Sequence, residues 1–207
     1  MDEDKLRWVM TIKTIIFDAG GVLTIGSFYN SLGELLESEL KIPKERIVKS
    51  FKENDEKFIR GKEDKEDFWK KISLELGLDY NIKAFNKCFL TAFKFNKNVL
   101  EVVKKLKKNY KLILFSDNFN GLSDFTKKTL KEYFDLMYFS NKMGLTKEDR
   151  KPFEIILKEN NLRSSECLFI DDKERNASIA KSFGINSIVF NNIEQLKCDL
   201  KSYNVTF

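Results

Sequence analysis

The chain has 207 residues, of which 42% are hydrophobic and 33% are charged, and its formal net charge is +5. This length suits one core domain with a modest insertion, and the composition suits a soluble globular protein. Lysines are spread along the chain rather than clustered, so we expect no nucleic-acid partner. There is no histidine, and any catalysis must therefore use carboxylates, lysine, hydroxyl groups or a metal ion.

The three cysteines, Cys88, Cys167 and Cys198, are scattered and lack metal-type spacing. We expect reduced thiols in a cytoplasmic protein, with Cys167 packed at the start of a buried strand. No segment approaches the roughly 20 apolar residues of a membrane span, so we expect no membrane partner. Residues 1–9 are charged, lack the apolar segment of a signal peptide and precede Met10. They fit either a native extension or an artefact of start-site choice.

The first predicted element is a buried strand at residues 11–18, which is followed by glycines. Residues 27–97 then carry apolar side chains at three- and four-residue spacing, which is typical of helices. Because this segment contains no convincing strand, we interpret it as an inserted helical cap domain. Residues 11–26 together with 98–207 are expected to form the core domain.

The rest of the chain alternates between helical and strand patterns. We expect helices at 99–108, 122–133, 153–159 and 177–183, and strands at 110–116, 136–139, 167–171 and 185–190. This alternation predicts an α/β fold with a parallel sheet flanked by helices.

Polar residues close three of the predicted strands. Asp18 ends the first strand, Ser116 ends the second, and Asp171 with Asp172 ends a later one. In an open parallel sheet, ligands bind beyond the carboxyl ends of the strands. Each of these residues alone has an ordinary explanation, such as a turn or a helix cap. Their joint placement at strand ends favours one composite site for phosphate and metal.

Four motifs occur in a recognisable order: FDAGGVLT at 17–24, Ser116, RKPF at 150–153 and FIDDKERN at 169–176. Together they resemble the haloacid dehalogenase-like (HAD) hydrolase superfamily. The helical insertion lies between the first two motifs, where the first cap class of that family lies. The resemblance implies a Rossmann-like core and a Mg²⁺-dependent phosphatase. It also implies a small phosphorylated metabolite as substrate, and we expect a monomer or homodimer.

The resemblance also gives roles to individual residues. Asp18 would be the nucleophile that forms a phospho-aspartate intermediate. Ser116 and Lys151 would bind the phosphoryl group, and the backbone amides of Asp117 and Asn118 would extend the anion site. The ammonium group of Lys151 would also help to keep Asp18 ionised.

Four residues are the expected Mg²⁺ ligands: Asp18, the backbone carbonyl of Gly20, Asp171 and Asp172. Mg²⁺ prefers oxygen ligands and is often bound by one or two carboxylates together with substrate phosphate. We favour Asp172 as the direct ligand, with Asp171 either ligating the metal or acting through water.

Gly20 departs from the family pattern, because most phosphatases of the family carry a second aspartate there. That aspartate protonates the leaving oxygen and then activates water, which is typically worth about 10²–10⁴-fold in rate. Three outcomes stay open: a slow phosphatase, an enzyme with another acid, or a protein that only binds a phosphorylated ligand. In the cap, Glu34, Glu37 and Asp55 are among the candidate acids, and the sequence does not choose between them.

A metal-independent 2-haloacid dehalogenase is the remaining alternative. It uses the same aspartate nucleophile, attacks carbon, and also lacks the second aspartate. Because it needs no metal, the acidic pair at Asp171 and Asp172 argues against it. The sequence does not identify the substrate.

Overall fold

A computed structural model describes residues 11–207, so the segment 1–9 and Met10 lie outside the described residues. Five strands form one sheet: β1 (Thr14–Phe17), β2 (Lys111–Ser116), β3 (Leu136–Phe139), β4 (Cys167–Asp171) and β5 (Asn186–Val189). Their order is β3-β2-β1-β4-β5, and every neighbouring pair is parallel. The predicted α/β fold with a parallel sheet is confirmed.

The central strand β1 shows why the apolar runs form this sheet. Ile15 and Phe17 point into one hydrophobic cluster, whereas Ile16 points into the cluster on the opposite face. All three side chains are almost fully buried. A strand covered on both faces therefore needs continuous hydrophobicity rather than alternation.

Between β1 and β2 the chain forms helices with a hydrophobic cluster of their own. These are α1 (Phe28–Leu40), α2 (Lys44–Asn54), α3 (Glu56–Ile59), α4 (Lys65–Leu76) and α5 (Ile82–Thr91). Their cluster is rich in aromatic residues and extends to Phe119 and Leu122 of the core. We call residues 27–97, which contain these helices, the cap and the rest of the described chain the core. That they are separate domains stays a proposal.

The two connections between core and cap run side by side. Thr24 and Phe95 form an antiparallel bridge. The Ile25 amide donates to the Lys94 carbonyl at 2.8 Å, and the Asn96 amide donates to the Leu23 carbonyl at 2.8 Å. The cap therefore leaves and rejoins the core at one place, beside the carboxyl end of β1.

The rest of residues 11–207 contains six α-helices: α6 (Lys97–Leu106), α7 (Leu122–Leu130), α8 (Ser140–Met143), α9 (Lys151–Glu159), α10 (Glu174–Lys181) and α11 (Ile193–Ser202). The sequence patterns did not predict α8 or α11. The signal for α11 was present, since the Asn192 side chain accepts from the amides of Glu194 and Gln195 and caps the helix. Leu196 and Leu200, one turn apart, are buried against the sheet cluster.

Cys167 is fully buried as the first residue of β4, as predicted. It and the other two cysteines are free thiols, of which only Cys198 is exposed. Within residues 11–207, no helix has both the length and the apolar character that crossing a membrane requires.

Candidate active site

The sheet brings the predicted strand-end residues to one edge, because β2, β1 and β4 are neighbours. Phe17 is in register with Leu114 on one side and Ile170 on the other. Asp18, Asp171 and Asp172 each place a carboxylate oxygen within 4.8 Å of the others. The Asp18 amide donates to the Ile170 carbonyl at 2.8 Å, which fixes the first carboxylate beside the acidic pair.

A lysine does lie at this site, but it is Lys147 and not Lys151. The Lys147 Nζ atom is 2.5 Å from Asp18 Oδ1 and 2.9 Å from Asp171 Oδ2, and its side chain is 2% exposed. Its backbone amide donates to Asp117 Oδ1 at 3.1 Å. Lys151 is exposed in the first turn of α9 and is not among the residues that line the site cavity. The structure therefore brings Lys147, and not Lys151, together with Asp18 and Asp171.

The conformation of the loop before α9 explains why Lys147, and not Lys151, lies beside Asp18. Gly144, in the left-handed conformation, ends α8 and turns the chain. Asp149 Oδ2 accepts from the Thr146 amide at 2.8 Å, which folds the loop so that the intervening Lys147 points inward. Pro152 lies on the first turn of α9, so the neighbouring Lys151 is held on an exposed helix surface. No local sequence signal distinguishes the two lysines.

Asp171 is a fully buried carboxylate that accepts hydrogen bonds from three residues. Its Oδ1 accepts from the Lys173 amide at 2.9 Å, and Asn176 Nδ2 lies 3.0 and 3.1 Å from its two oxygens. Lys147 contacts Oδ2. These contacts hold Asp171 in one orientation and make it a fixed anchor for the lysine.

Asp172 differs from its neighbour. Its side chain is exposed, and its carboxylate is one of the three that could hold a metal ion. Its Oδ2 lies over Gly21, where an added Cβ would approach it to 2.2 Å. Gly21 also has a φ of +74°, which disfavours any side chain. Asp172 is thus open to a ligand, and Gly21 makes room for it.

Burial and charge together shape the titration of this cluster. Burial raises the pKa of Asp18, the charges of Asp171 and Asp172 raise it further, and Lys147 partly opposes them. Burial lowers the pKa of Lys147, but the facing carboxylates outweigh it and keep the ammonium charged. Three carboxylates therefore face one ammonium group, and the cluster has surplus negative charge.

This donor set fits a divalent cation. Mg²⁺ binds hard oxygen ligands and needs few of them from the protein. The convergent oxygens of Asp18, Asp171 and Asp172 provide such ligands, and the surplus charge favours a cation there. Gly20 has ordinary backbone geometry, and a Cβ built on it meets no described atom within 4 Å. The missing aspartate at this position is thus not a steric necessity.

The loop after β2 contributes Ser116, which is buried and lines the same cavity as Asp18. Its Oγ lies 3.3 Å from the Asp117 carbonyl. The backbone amide of Asn118, expected to bind an anion, donates instead to Ser140 Oγ at 2.9 Å. In this arrangement Asn118 supports the loop rather than offering its amide to a ligand.

The cavity has a volume of about 450 Å³ and lies between the core and the cap. This is within the range of roughly 300–1,000 Å³ that small-molecule sites occupy. The cap contributes several polar and aromatic residues to its wall: Phe28, Tyr29, Asp55, Glu56, Arg60 and Phe93. The cavity can therefore hold a ligand whose one end reaches Asp18 and whose other end contacts the cap.

The end of α3 is docked on the core beside this cavity. Arg60 Nη1 lies 2.5 Å from Asp149 Oδ2, and Ser140 Oγ donates to the Ile59 carbonyl at 2.6 Å. Gly61 follows with a φ of +68°, and a Cβ there would lie 2.1 Å from the Asn141 carbonyl oxygen. The cap backbone thus approaches the core too closely for a larger residue.

The sequence matches the haloacid dehalogenase-like hydrolase family over residues 12–184. The chain therefore belongs to this family, as its motifs suggested.

Curated and solved relatives agree with this assignment. D-ribitol-5-phosphate phosphatase of Bacteroides thetaiotaomicron is 27% identical over 192 residues, covering 85% of this chain and 90% of that protein. A HAD-like family hydrolase from Porphyromonas gingivalis has a TM-score of 0.77 and 20% identity, covering 95% of this chain and 100% of the other. A HAD family enzyme from B. thetaiotaomicron, in complex with magnesium and inorganic phosphate, has a TM-score of 0.72 and 19% identity, with coverages of 89% and 98%.

Proposed function

We propose that the chain is a cytoplasmic, Mg²⁺-dependent phosphatase that acts on a small phosphorylated metabolite through a phospho-aspartate intermediate. The observation that carries this proposal is the contact of Asp18 with Lys147 inside a cluster of three carboxylates, of which Asp18 and Asp171 are buried. The similarity to a sugar-alcohol phosphate phosphatase supports it.

The first chemical step follows from this geometry. A phosphate monoester enters the cavity, and a carboxylate oxygen of Asp18 attacks phosphorus while the bond to the leaving oxygen breaks. Lys147 lies where it neutralises negative charge on the transferring group, and the Ser116 hydroxyl lies where it can donate to a phosphoryl oxygen. Asp171 keeps Lys147 in place. The cap shields the site from bulk water.

Asp18, the Gly20 carbonyl and Asp172 would hold Mg²⁺, with Asp171 behind them as the anchor of Lys147. The metal would supply further neutralisation of the phosphoryl charge. Water then attacks the phospho-aspartate, which releases phosphate and restores the Asp18 carboxylate.

The test is hydrolysis of 4-nitrophenyl phosphate with Mg²⁺. An aryl ester has a good leaving group and barely depends on an acid catalyst. We expect activity in the wild type, and loss of that activity in Asp18→Asn and in EDTA. The matched control is Asp79→Asn, which removes an exposed carboxylate outside the cavity and should retain activity.

Two results would each replace the proposed function by another one. Tight binding of a phosphate analogue by folded, Mg²⁺-loaded protein without turnover would replace the enzyme by a phospho-ligand-binding protein. Release of halide from a 2-haloacid without added Mg²⁺ would replace it by a dehalogenase.

A further inference from the structure

The loop after β1 supplies no proton donor for the leaving group at the position where most phosphatases of the family carry an aspartate. Gly20 offers a backbone carbonyl but no acidic side chain. Without an acid, only esters with good leaving groups would react quickly. A replacement must lie on the wall of the cavity, facing Asp18 from the side where the leaving group lies.

The three cap acids singled out in the sequence have different positions. Glu34 and Glu37 are exposed on α1 and interact with Lys44, by an ion pair at 3.1 Å and an amide hydrogen bond at 3.0 Å. Neither lines the cavity. Asp55, between α2 and α3, lines the same cavity as Asp18. Of these three residues, only Asp55 lines the cavity that contains Asp18.

The position of Asp55 is fixed by Tyr29 of α1. The Tyr29 hydroxyl donates to Asp55 Oδ2. The Tyr29 ring packs on Phe51 of the cap and on Phe119, with centroid distances of 6.0 Å to each. Phe119 comes three residues after Ser116, on the loop that would bind phosphate. The ring contact thus joins the Tyr29–Asp55 pair to that loop.

The charges around Asp55 suit a group that holds its proton and then gives it up. Burial raises the pKa of Asp55, and the charge of Asp117 raises it too, whereas Tyr29 and Lys173 lower it. Asp117 belongs to the loop that contacts Lys147. The pKa of Asp55 therefore depends on charges on the core side of the cavity as well as on its hydrogen bond with Tyr29.

We propose that Asp55 is the general acid and base of this enzyme, in place of the aspartate missing at Gly20, and that Tyr29 is its positioning residue. This inference rests on the proposed phosphatase function. Because Tyr29 occupies Oδ2, the proton is carried on Oδ1. In this enzyme the acid would therefore lie in the cap, whereas most phosphatases of the family carry it on the loop after β1.

The proton balance of the two steps is as follows. As Asp18 bonds to phosphorus and the ester bond breaks, the leaving oxygen keeps the electron pair and takes the proton of Asp55. In the second step the Asp55 carboxylate accepts a proton from water as the water oxygen attacks phosphorus. The bond from phosphorus to Asp18 breaks, and inorganic phosphate leaves.

The experiment compares two substrates of similar shape, 4-nitrophenyl phosphate and phenyl phosphate, whose leaving groups differ in acidity. For Asp55→Asn we expect kcat/KM on phenyl phosphate to fall by about 10²-fold or more. The value on 4-nitrophenyl phosphate should fall only several-fold. Glu34→Gln is the matched control and should change neither value. An equal fall on both substrates, or no fall, would overturn the role of Asp55.

A rescue experiment separates catalysis from structural damage. Gly20→Asp restores an acid at the usual position, where the added side chain meets open space. In the Asp55→Asn background it should recover phenyl phosphate hydrolysis. Failure of the rescue, together with a lowered melting temperature of Asp55→Asn, would assign Asp55 a structural role instead.

Tyr29→Phe gives an independent readout. The aromatic packing is kept, but the hydrogen bond that lowers the pKa of Asp55 is lost. The charged groups facing Asp55 are otherwise unchanged: Asp117, Lys173 and the neighbouring Glu56. We expect the alkaline fall in kcat/KM for phenyl phosphate to move to higher pH, and an unmoved profile would contradict the pairing.

The results distinguish failure of the proposed function from failure of this inference. If the wild type hydrolyses neither ester, the proposed function fails. If Asp18-dependent turnover of 4-nitrophenyl phosphate persists without these differences between variants and substrates, only the role of Asp55 fails.

Discussion

Lys147 Nζ lies 2.5 Å from Asp18 Oδ1, with 2% and 7% of the two side chains exposed. At such burial neither charge is solvated well, so each depends on the other. Asp171 contacts the same ammonium at 2.9 Å and completes the group. Asp18 and Lys147 are thus one electrostatic unit, and we expect a change of either residue to alter both stability and activity.

Lys147→Ala should therefore be strongly destabilising in metal-free protein. Removal of one partner from a buried ion pair typically costs about 3–5 kcal/mol, because the other charge is left uncompensated. The free energy of unfolding, measured by urea denaturation in EDTA, tests this expectation.

Lys151→Ala is the matched control, since Lys151 is exposed on α9. It should change both stability and aryl phosphatase activity little, while Lys147→Ala should abolish activity. Equal losses in the two variants would return Lys151 to the role that the sequence suggested.

The sequence predicted the carboxylates of the site because strand ends can be located locally. An apolar run that stops at Asp18, Ser116 or Asp171 places that residue at the edge of the sheet, and parallel strands bring such edges together. Lys147 lies on a loop whose path depends on Gly144 and on the Asp149 hydrogen bond. That information is tertiary, and motif spacing could not supply it.

The cap shows the same limit of prediction from sequence. Its helices follow from apolar spacing, but the choice between Glu34 and Asp55 depends on how α1 and α2 pack on the core. The ring contact of Tyr29 with Phe119 joins residues that are far apart in the chain. Sequence alone named Asp55 as a candidate without separating it from its exposed competitors.

The stability of metal-free protein should depend on pH through Asp18. Its pKa in the folded protein is raised above the value near 4 of an unfolded chain. Between these two values the folded state binds more protons than the unfolded state, so stability falls as pH rises. For one proton the slope is at most about 1.4 kcal/mol per pH unit.

Melting temperatures in EDTA at pH 5 and pH 8 measure this effect. Asp18→Asn should reduce the difference without removing it, because burial raises the pKa of Asp117 as well. Added Mg²⁺ should restore stability at pH 8 in the wild type more than in Asp18→Asn. A wild type that is more stable at pH 8 than at pH 5 in EDTA would contradict the raised pKa.

Gly21→Ala should weaken metal binding. The new methyl group would lie 2.2 Å from Asp172 Oδ2, and the backbone φ of +74° is unfavourable for alanine. Left-handed backbone costs a residue with a side chain roughly 1–2 kcal/mol. We expect a higher Mg²⁺ concentration for half-maximal activity, because Asp172 must move.

Gly20→Ala is the matched control for Gly21→Ala, because its added methyl group meets no described atom within 4 Å. Its effect on the Mg²⁺ requirement should be much smaller. Titration of activity with Mg²⁺ in both variants distinguishes them, and identical curves would show that Asp172 does not need the space above Gly21.

Arg60→Ala should loosen the cap over the site. Arg60 and Asp149 form a close ion pair between cap and core, and the Arg60 hydrogen bond lowers the pKa of Asp149. A partly exposed pair contributes about 0–1 kcal/mol to stability, so the melting temperature should change little. The larger effect should be a raised KM for 4-nitrophenyl phosphate, because the wall of the cavity is less well held.

Asp149→Asn keeps a side-chain oxygen that can accept from the Thr146 amide but removes the charge that pairs with Arg60, so it should raise KM in the same way. The double variant should be no worse than either single one. Arg46→Ala, on the exposed surface of α2, is the control. Additive effects of Arg60→Ala and Asp149→Asn would show that the two residues act separately and that their contact does not hold the cap.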